Sequence, residues 1–233
     1  MEQAQKAIKF LNRDYILNVS IIEPIRNGAV DILYVDDDCV MVKSKESHVF
    51  MIETDDMSKA DKLIDTVPDD AAIVAHNPIL ADLVVSKKGF EVKTPCYQGV
   101  YQGEPFVYDQ GEMEIRLMRE DEAKLACEMY HFKEDSAITH IRRGLAYGAY
   151  VGGEAVGMVG MHIQGAMGLL SVKPEYRRHG YAEILEKFII NDVLSKGRVP
   201  YCQIVEGNEP SLSLQRKVGM VISKNQLFWL HKD

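Results

Sequence analysis

Apolar and polar positions alternate most legibly from Glu114 onward. Ile115 and Leu117 mark a short strand, and residues 121–129 carry Ala123, Leu125, Ala126 and Met129 at helical spacing. Residues 145–151 and 155–161 flank Gly152-Gly153-Glu154, which is the pattern of a β-hairpin. A second turn at Gln164-Gly165 returns the chain into an apolar strand at residues 167–172. The helix after it spaces Tyr181, Ile184, Leu185, Phe188 and Ile189 by three and four residues, and the same spacing assigns Glu183, Glu186 and Lys187 to the polar side. Gly197 and Pro200 close this region. A strand at residues 201–205, a helix at 211–217 and a strand at 221–230 complete the order β-α-β-β-β-α-β-α-β.

The first half repeats part of that pattern. Ile32-Leu33-Tyr34-Val35 and Val40-Met41-Val42 form a hairpin around Asp36-Asp37-Asp38. Residues 72–80 with Lys87-Lys88-Gly89-Phe90 echo residues 203–211 with Arg216-Lys217-Val218-Gly219-Met220. In both, a strand, an Asn, a short helix, a basic residue and a Gly follow in order. An internal repeat is the reading favoured, with chance similarity between two strand-helix-strand units as the alternative.

Composition narrows the class. The chain has 233 residues, 46% hydrophobic and 27% charged, enough for one large or two modest domains. Boundaries are expected at residues 1–105 and 112–233. A formal net charge of -8 argues against nucleic acid as a partner, since phosphate neutralisation needs a broad basic footprint. Cys39, Cys96, Cys127 and Cys202 are far apart, with no CxxC pair and no zinc-type spacing, so no metal is expected and a reduced, cytoplasmic compartment fits best. Residues 1–9 have no apolar leader and no stretch approaches the length of a membrane span, so no membrane partner is expected either.

One local feature runs against the acidic background. Leu169-Leu170-Ser171-Val172 leads through Lys173-Pro174-Glu175-Tyr176-Arg177-Arg178-His179-Gly180 into the helix that starts at Tyr181-Ala182. Helix starts leave N–H groups without partners and carry the positive end of the helix dipole, so this turn is a candidate phosphate site. Gly180 permits close approach of the backbone, and Lys173, Arg177, Arg178 and His179 add positive charge. The matching place in the first half reads Thr54-Asp55-Asp56-Met57, whose carboxylates suit a helix cap and repel an anion.

The run Val172-x-Pro174-x-x-Arg177-x-x-Gly180-x-Ala182 resembles the acetyl-CoA signature of the GCN5-related N-acetyltransferases (GNAT). Asn208-x-x-Ser211-x-x-Leu214-x-x-Lys217-x-Gly219-Met220 is similar to that family's second motif, with most likeness to its FR47-like branch and to the C-terminal domain of glycine N-acyltransferase. The resemblance covers the second half well and the first only as a degenerate copy. It implies an α/β (α+β) fold with a mixed, mostly antiparallel sheet flanked by helices, preceded by an N-terminal degenerate GNAT-like half. It also implies acetyl-CoA, or another short acyl-CoA, as co-substrate and a small-molecule amine as acceptor. Leu170, Ser171 and Val172 would pair with the pantetheine amides. Arg177, Arg178, His179, Gly180, Tyr181 and Ala182 would hold the pyrophosphate, with Asn208, Ser211 and Lys217 completing the donor site.

Two departures from the family pattern bear on catalysis. Gln215 stands where many members have a Tyr that protonates the leaving thiolate. Gln cannot act as an acid, although it or Ser211 or Ser213 can donate a hydrogen bond. The fourth strand offers no carboxylate at Ala166, Met167 or Gly168, which leaves His162 and Glu206 as candidate bases. For His162 an ordinary strand histidine is the stronger alternative; for Glu206 the alternative is a loop border. His131, His140 and His231 receive no role. Tyr147 and Tyr150 read as hairpin packing or as lining for an acceptor, and Met158, Met161 and Met167 as core or as contacts between the two halves. Asp36 to Asp38 read as a turn, since no Gly and distal Glu complete a calcium loop.

The functional expectation is an N-acetyltransferase acting by direct attack of an amine on the thioester in a ternary complex. A CoA-binding sensor that has lost turnover is the alternative, and an interaction protein without CoA is a weaker third. Specificity for the acceptor, and whether the halves pack within one chain or in a homodimer, are left open.

Overall fold

The chain opens with two helices, α1 (Glu2–Leu11) and α2 (Tyr15–Arg26), joined by a 3-10 turn at Asn12–Asp14. Asp14 caps α2 by accepting from the Leu17 N–H at 3.2 Å. The coordinates are a computed structural model that describes residues 2–90, 92–130 and 132–232; His131 lies outside the described residues, as do Met1, Glu91 and Asp233. Two compact units share the chain. The first comprises Met1–Val100, Gln203–Leu212 and Val221–Asp233, and the second Tyr101–Cys202 and Ser213–Met220.

In the first unit the hairpin β1 (Val30–Val35) and β2 (Cys39–Ser44) leads to β3 (Val49–Thr54), α3 (Met57–Ile64), β4 (Ala72–Ala75), α4 (Pro78–Lys88) and β5 (Val92–Val100). Ala7, Phe10 and Leu11 of α1 and Leu17, Ile21 and Ile22 of α2 pack with Val40, Val42, Val49 and Met51 of the sheet. Each fully buried side chain of this size contributes about 1.5–3 kcal/mol. α2 also buries polar groups, and they are satisfied: Asn18 Oδ1 lies 2.7 Å from His76 Nδ1, and Asn18 Nδ2 donates to Leu11 O at 3.1 Å.

The second unit contains β6 (Glu114–Leu117), α5 (Ala123–Tyr130), α6 (Glu134–Arg142), β7 (Ala146–Val151), β8 (Glu154–Met161), β9 (Met167–Val172) and α7 (Tyr181–Ser195). β10 (Tyr201–Val205) and α8 (Glu209–Lys217) are divided between the units, and β11 (Val221–His231) belongs to the first. The helix expected at residues 121–129 is a 3-10 turn at Glu120–Glu122 followed by α5, and α6 is an additional helix. The Glu122 carboxylate reaches back to the Arg119 N–H at 2.8 Å and tightens that first turn.

Strand order is β1-β2-β3-β4-β11-β5 in the first unit and β10-β9-β8-β7-β6 in the second. The sheet is mostly antiparallel and flanked by helices, as expected, with a parallel pair in each unit. β3 and β4 pair from Val49↔Ala72 to Ile52↔Ala75, whereas β10 meets β9 at Cys202↔Met167. β11 lies between β4 and β5, with Trp229 opposite Val74 on one side and Thr94 on the other. Met158, Met161 and Met167 are buried, as expected of core positions. Glu186 departs from expectation: it is only 2% exposed, among Leu185, Ile189 and Ile190 on the buried side of α7.

Candidate active site at the start of helix α7

β9 is irregular where it approaches the turn. Gly168 pairs with Gly160 and Ser171 with Met158, so β9 holds one more residue than β8 across that interval. The extra residue is a bulge at Leu169-Leu170, and Leu169 has φ 54°, a left-handed conformation that a branched side chain adopts only when its surroundings impose it. Among the described residues, no β10 partner pairs with β9 beyond Met167.

After β9 the chain makes a 3-10 turn at Pro174–Tyr176 and enters α7 through Gly180. Arg178 (φ 69°) and Gly180 (φ 82°) are both left-handed, so the backbone changes direction twice just before α7. Gly180 provides no side-chain cap, and among the described residues no group accepts from the N–H of Arg178, His179, Gly180, Tyr181 or Ala182. The turn is held from within. Arg177 Nε donates to Val172 O at 3.1 Å, Tyr176 Oη donates to Glu154 at 2.6 Å, and His179 stacks on Tyr181 with centroids 5.8 Å apart.

Glu183 in the first turn of α7 would oppose an anion, but Lys187 and Lys217 both bind its carboxylate and hold its pKa below the usual range. Lys217, expected to contact the cofactor, is thereby tied to α7.

His162 follows β8, and its N–H donates to Ala166 O at 2.8 Å across the turn into β9. A Cβ built on Gly168 would lie 2.5 Å from His162 Nε2, so the absence of a side chain at 168 is what admits the ring. The ring neighbours Tyr130, with centroids 6.3 Å apart. Burial, and then the nearby His140, push the His162 pKa down to about 4, so the imidazole is neutral at physiological pH. His140 is buried against Phe132, and its Nδ1 lies 2.7 Å from Ser136 O.

Gln215 is buried near the end of α8, and its side-chain oxygen has no hydrogen-bond partner among the described residues. It therefore faces the interior of the second unit.

Residues 140–229 match the family model described as FR47-like protein. This segment is FR47-like, and the fold is that of the GCN5-related N-acetyltransferases. A GCN5-related N-acetyltransferase from Kribbella flavida superposes with a TM-score of 0.59 at 14% identity, covering 98% of this chain and 93% of that one. A GCN5-related N-acetyltransferase-like protein from Streptococcus suis gives 0.58 at 13% identity, covering 99% of both chains. A tandem GNAT protein from the clavulanic acid biosynthesis pathway gives 0.51 at 11% identity, covering 98% and 94%. No curated protein matches the chain in sequence.

The FR47-like segment runs from the end of α6 to β11 and holds every site residue expected from sequence. The second unit brings His162, Leu170, Ser171, Val172, the turn from Arg177 to Ala182, Gln215 and Lys217 into one body. Glu206, Asn208 and Ser211 belong to the first unit. There Glu206 is exposed and accepts from Gln226 Nε2 at 2.8 Å, and Asn208 caps α8 by accepting from the Ser211 N–H at 3.2 Å.

Tyr147 packs edge-on against Phe188 at 5.0 Å, and Tyr150 donates to Glu122 at 2.6 Å beneath Arg116, so both serve packing. The bulge at Leu169 and the burial of Glu186 were missed from sequence. A period-2 strand pattern does not reveal a bulge. A carboxylate one residue past Leu185 and three before Ile189 carries the signal of its burial, but its chemistry points the other way.

The first unit presents a contrasting helix start. Asp56 caps α3 by accepting from Ser58 N at 2.9 Å and Lys59 N at 3.3 Å. The Lys59 ammonium sits among Asp36, Asp38 and Asp56, so the acidic hairpin turn surrounds a cation of the chain itself.

Among the described residues no group of His, Cys, Asp and Glu is arranged to hold a metal ion, and no helix is long and apolar enough to cross a membrane.

Proposed function

We propose that the chain is an acyl-CoA-dependent N-acyltransferase that moves acetyl from acetyl-CoA to a primary amine of a small molecule or amino acid. The observation that carries this reading is the uncapped start of α7, where the N–H groups from Arg178 to Ala182 lie free beside exposed Arg177 and Arg178. A pyrophosphate satisfies those donors and meets the helix dipole with the right sign. The open side of β9 between Leu170 and Val172 would take the pantetheine amides as an added strand.

Acetyl-CoA supplies an activated thioester; the protein supplies orientation and proton transfer. The amine nitrogen forms the new C–N bond, the C–S bond breaks, and the thiolate leaves as free CoA. In this reading neutral His162 accepts the proton that the nitrogen loses, directly or through one water. Gln215 is buried and a carboxamide cannot act as an acid, so protonation of the thiolate falls to solvent or to the acceptor site.

The first unit supports a further part of the proposal, that it is a degenerate GNAT-like copy in which β4, the Asn77 cap and α4 repeat the order of β10, the Asn208 cap and α8. The match to a tandem GNAT protein is consistent with that reading. All four cysteines are free, consistent with a reduced, cytoplasmic setting.

Calorimetric titration with acetyl-CoA, followed by measurement of CoA release across a panel of amines, tests the function. Binding together with amine-dependent CoA release is the expected outcome. Binding without release from any amine would instead support the sensor alternative, which the comparisons do not favour.

A further inference from the structure

Tyr130, Phe132, His140 and His162 form a continuous row of rings within the second unit, where α5, paired with α6, packs on β8 and β9. Tyr130 lies beside His162, with centroids 6.3 Å apart, and beside Phe132 at 5.2 Å; Phe132 in turn meets His140 at 4.9 Å. These are ordinary separations for interacting rings. The three pairs are tilted by 58°, 50° and 32°, so no ring of the row lies flat on the next. His140 is buried, whereas Tyr130, Phe132 and His162 each keep part of their surface exposed.

The surroundings of the row are apolar. Tyr130, Phe132 and Ile138 pack against a core cluster that contains Met129, Ala137, Ile141 and Leu169, the left-handed residue of the β9 bulge. The charged side chains of α5 and α6, which are Lys124, Glu128, Glu134, Asp135 and Arg142, are all exposed. β9 has no ionisable residue, and Glu154 at the start of β8 is exposed. Glu122, just before α5, is committed to Arg116 and Tyr150. A carboxylate or a second ammonium carried by the acceptor would lose water here without gaining a counter-ion, whereas an apolar ring gains burial.

We propose that Tyr130 and Phe132 set the acceptor specificity, and that the acceptor is an arylalkylamine, a primary amine joined by a short chain to an aromatic ring. This rests on the N-acyltransferase reading above, with His162 taking the amine proton. Tyr130 and then Phe132 come next along the row from His162, so with the nitrogen at His162 they are the surface that receives the carbon skeleton. The acceptor's ring makes edge-to-face or offset contact with both. Neither side chain takes part in making the C–N bond or breaking the C–S bond; they orient the amine and exclude water from around it.

The test measures acetyl-CoA-dependent CoA release with phenethylamine, butylamine, putrescine and glycine, using wild type, Phe132→Leu and Tyr130→Leu. In wild type, kcat/KM should be highest for phenethylamine, about tenfold above butylamine and about 100-fold above putrescine and glycine. Phe132→Leu keeps apolar volume but removes the ring. It should raise the KM for phenethylamine about fivefold and leave that for butylamine within about twofold, with the Kd for acetyl-CoA by calorimetry unchanged. Tyr130→Leu should have the same effect. Saturation-transfer NMR of phenethylamine on wild type holding CoA should show the strongest transfer at the phenyl protons.

Turnover of putrescine or glycine equal to or faster than that of phenethylamine overturns the arylalkylamine assignment. Equal KM changes for phenethylamine and butylamine in both variants overturn the specificity role, because a merely structural loss does not distinguish the two amines. Should either variant fail to fold, the wild-type panel and the NMR transfer still decide the acceptor class. CoA release with the polar amines only leaves the N-acyltransferase reading standing and removes the aromatic assignment alone. Binding of acetyl-CoA with no release from any amine removes both.

Discussion

Two helix starts in one chain follow a strand of a mostly antiparallel sheet, and they solve the same backbone problem in opposite ways. At α3 the orphan N–H groups are satisfied internally: the Asp56 carboxylate accepts from Ser58 and Lys59, and Lys59 in turn balances Asp36 and Asp38. At α7 they are left open by left-handed Arg178 and Gly180, with arginines outside and the Glu183 charge absorbed by two lysines. The parallel strand pairs differ in the same sense. β3 and β4 are zipped over residues 49–52 and 72–75, while β9 bulges at Leu169. A helix start becomes an anion site only when nothing in the chain satisfies its donors first.

Making α7 resemble α3 should have the largest effect. Gly180→Asp places a carboxylate cap among the open amides, and acetyl-CoA affinity by calorimetry should fall about 100-fold, with far-UV circular dichroism unchanged. Unchanged affinity would break the comparison. His162→Ala should lower kcat about 100-fold while leaving the Kd for acetyl-CoA within twofold, since the ring is assigned to proton transfer rather than donor binding. An equal loss in Kd would place His162 in the donor site instead.

Arg178→Ala should weaken acetyl-CoA about fivefold at low salt and less at high salt, because an exposed charge is screened. The complementary change in the first unit is smaller still. Asp56→Ala removes the α3 cap and should cost about 1 kcal/mol in urea unfolding, without creating a second acetyl-CoA site. A stoichiometry of two in that variant would show that the cap alone had closed the first unit's site.

The strands and turns flanking the site were readable because period-2 alternation interrupted by Gly pairs leaves few alternatives: β7, the Gly152-Gly153 turn and β8 lie where the pattern placed them. The turn before α7 was readable for a related reason, since a Gly among basic residues between an apolar strand and a helix has a local physical meaning. α2 was not readable. Its polar residues Asn18, Ser20 and Glu23 face inward, and the pattern that marks an amphipathic helix is blurred where buried polar groups find partners on other elements. α1 did carry a usable spacing in Ala4, Ala7, Phe10 and Leu11, which was left unassigned. Glu186 was placed on the wrong side of α7 because its charge outweighed its spacing beside Leu185 and Ile189.

Sequence alone determined the local chemistry of this protein: where strands alternate, where α7 begins, which start is basic and which acidic, and the likeness to an acetyl-CoA signature. Those are properties of short windows, set by side-chain periodicity, backbone freedom and charge. Tertiary structure decided what depends on distant partners. It placed β11 between β4 and β5, buried Glu186 and Gln215, set the His162 ring over Gly168, and forced Leu169 into a bulge. Each of these follows from which non-local group satisfies a hydrogen bond or fills a volume, and no short window of residues contains that information.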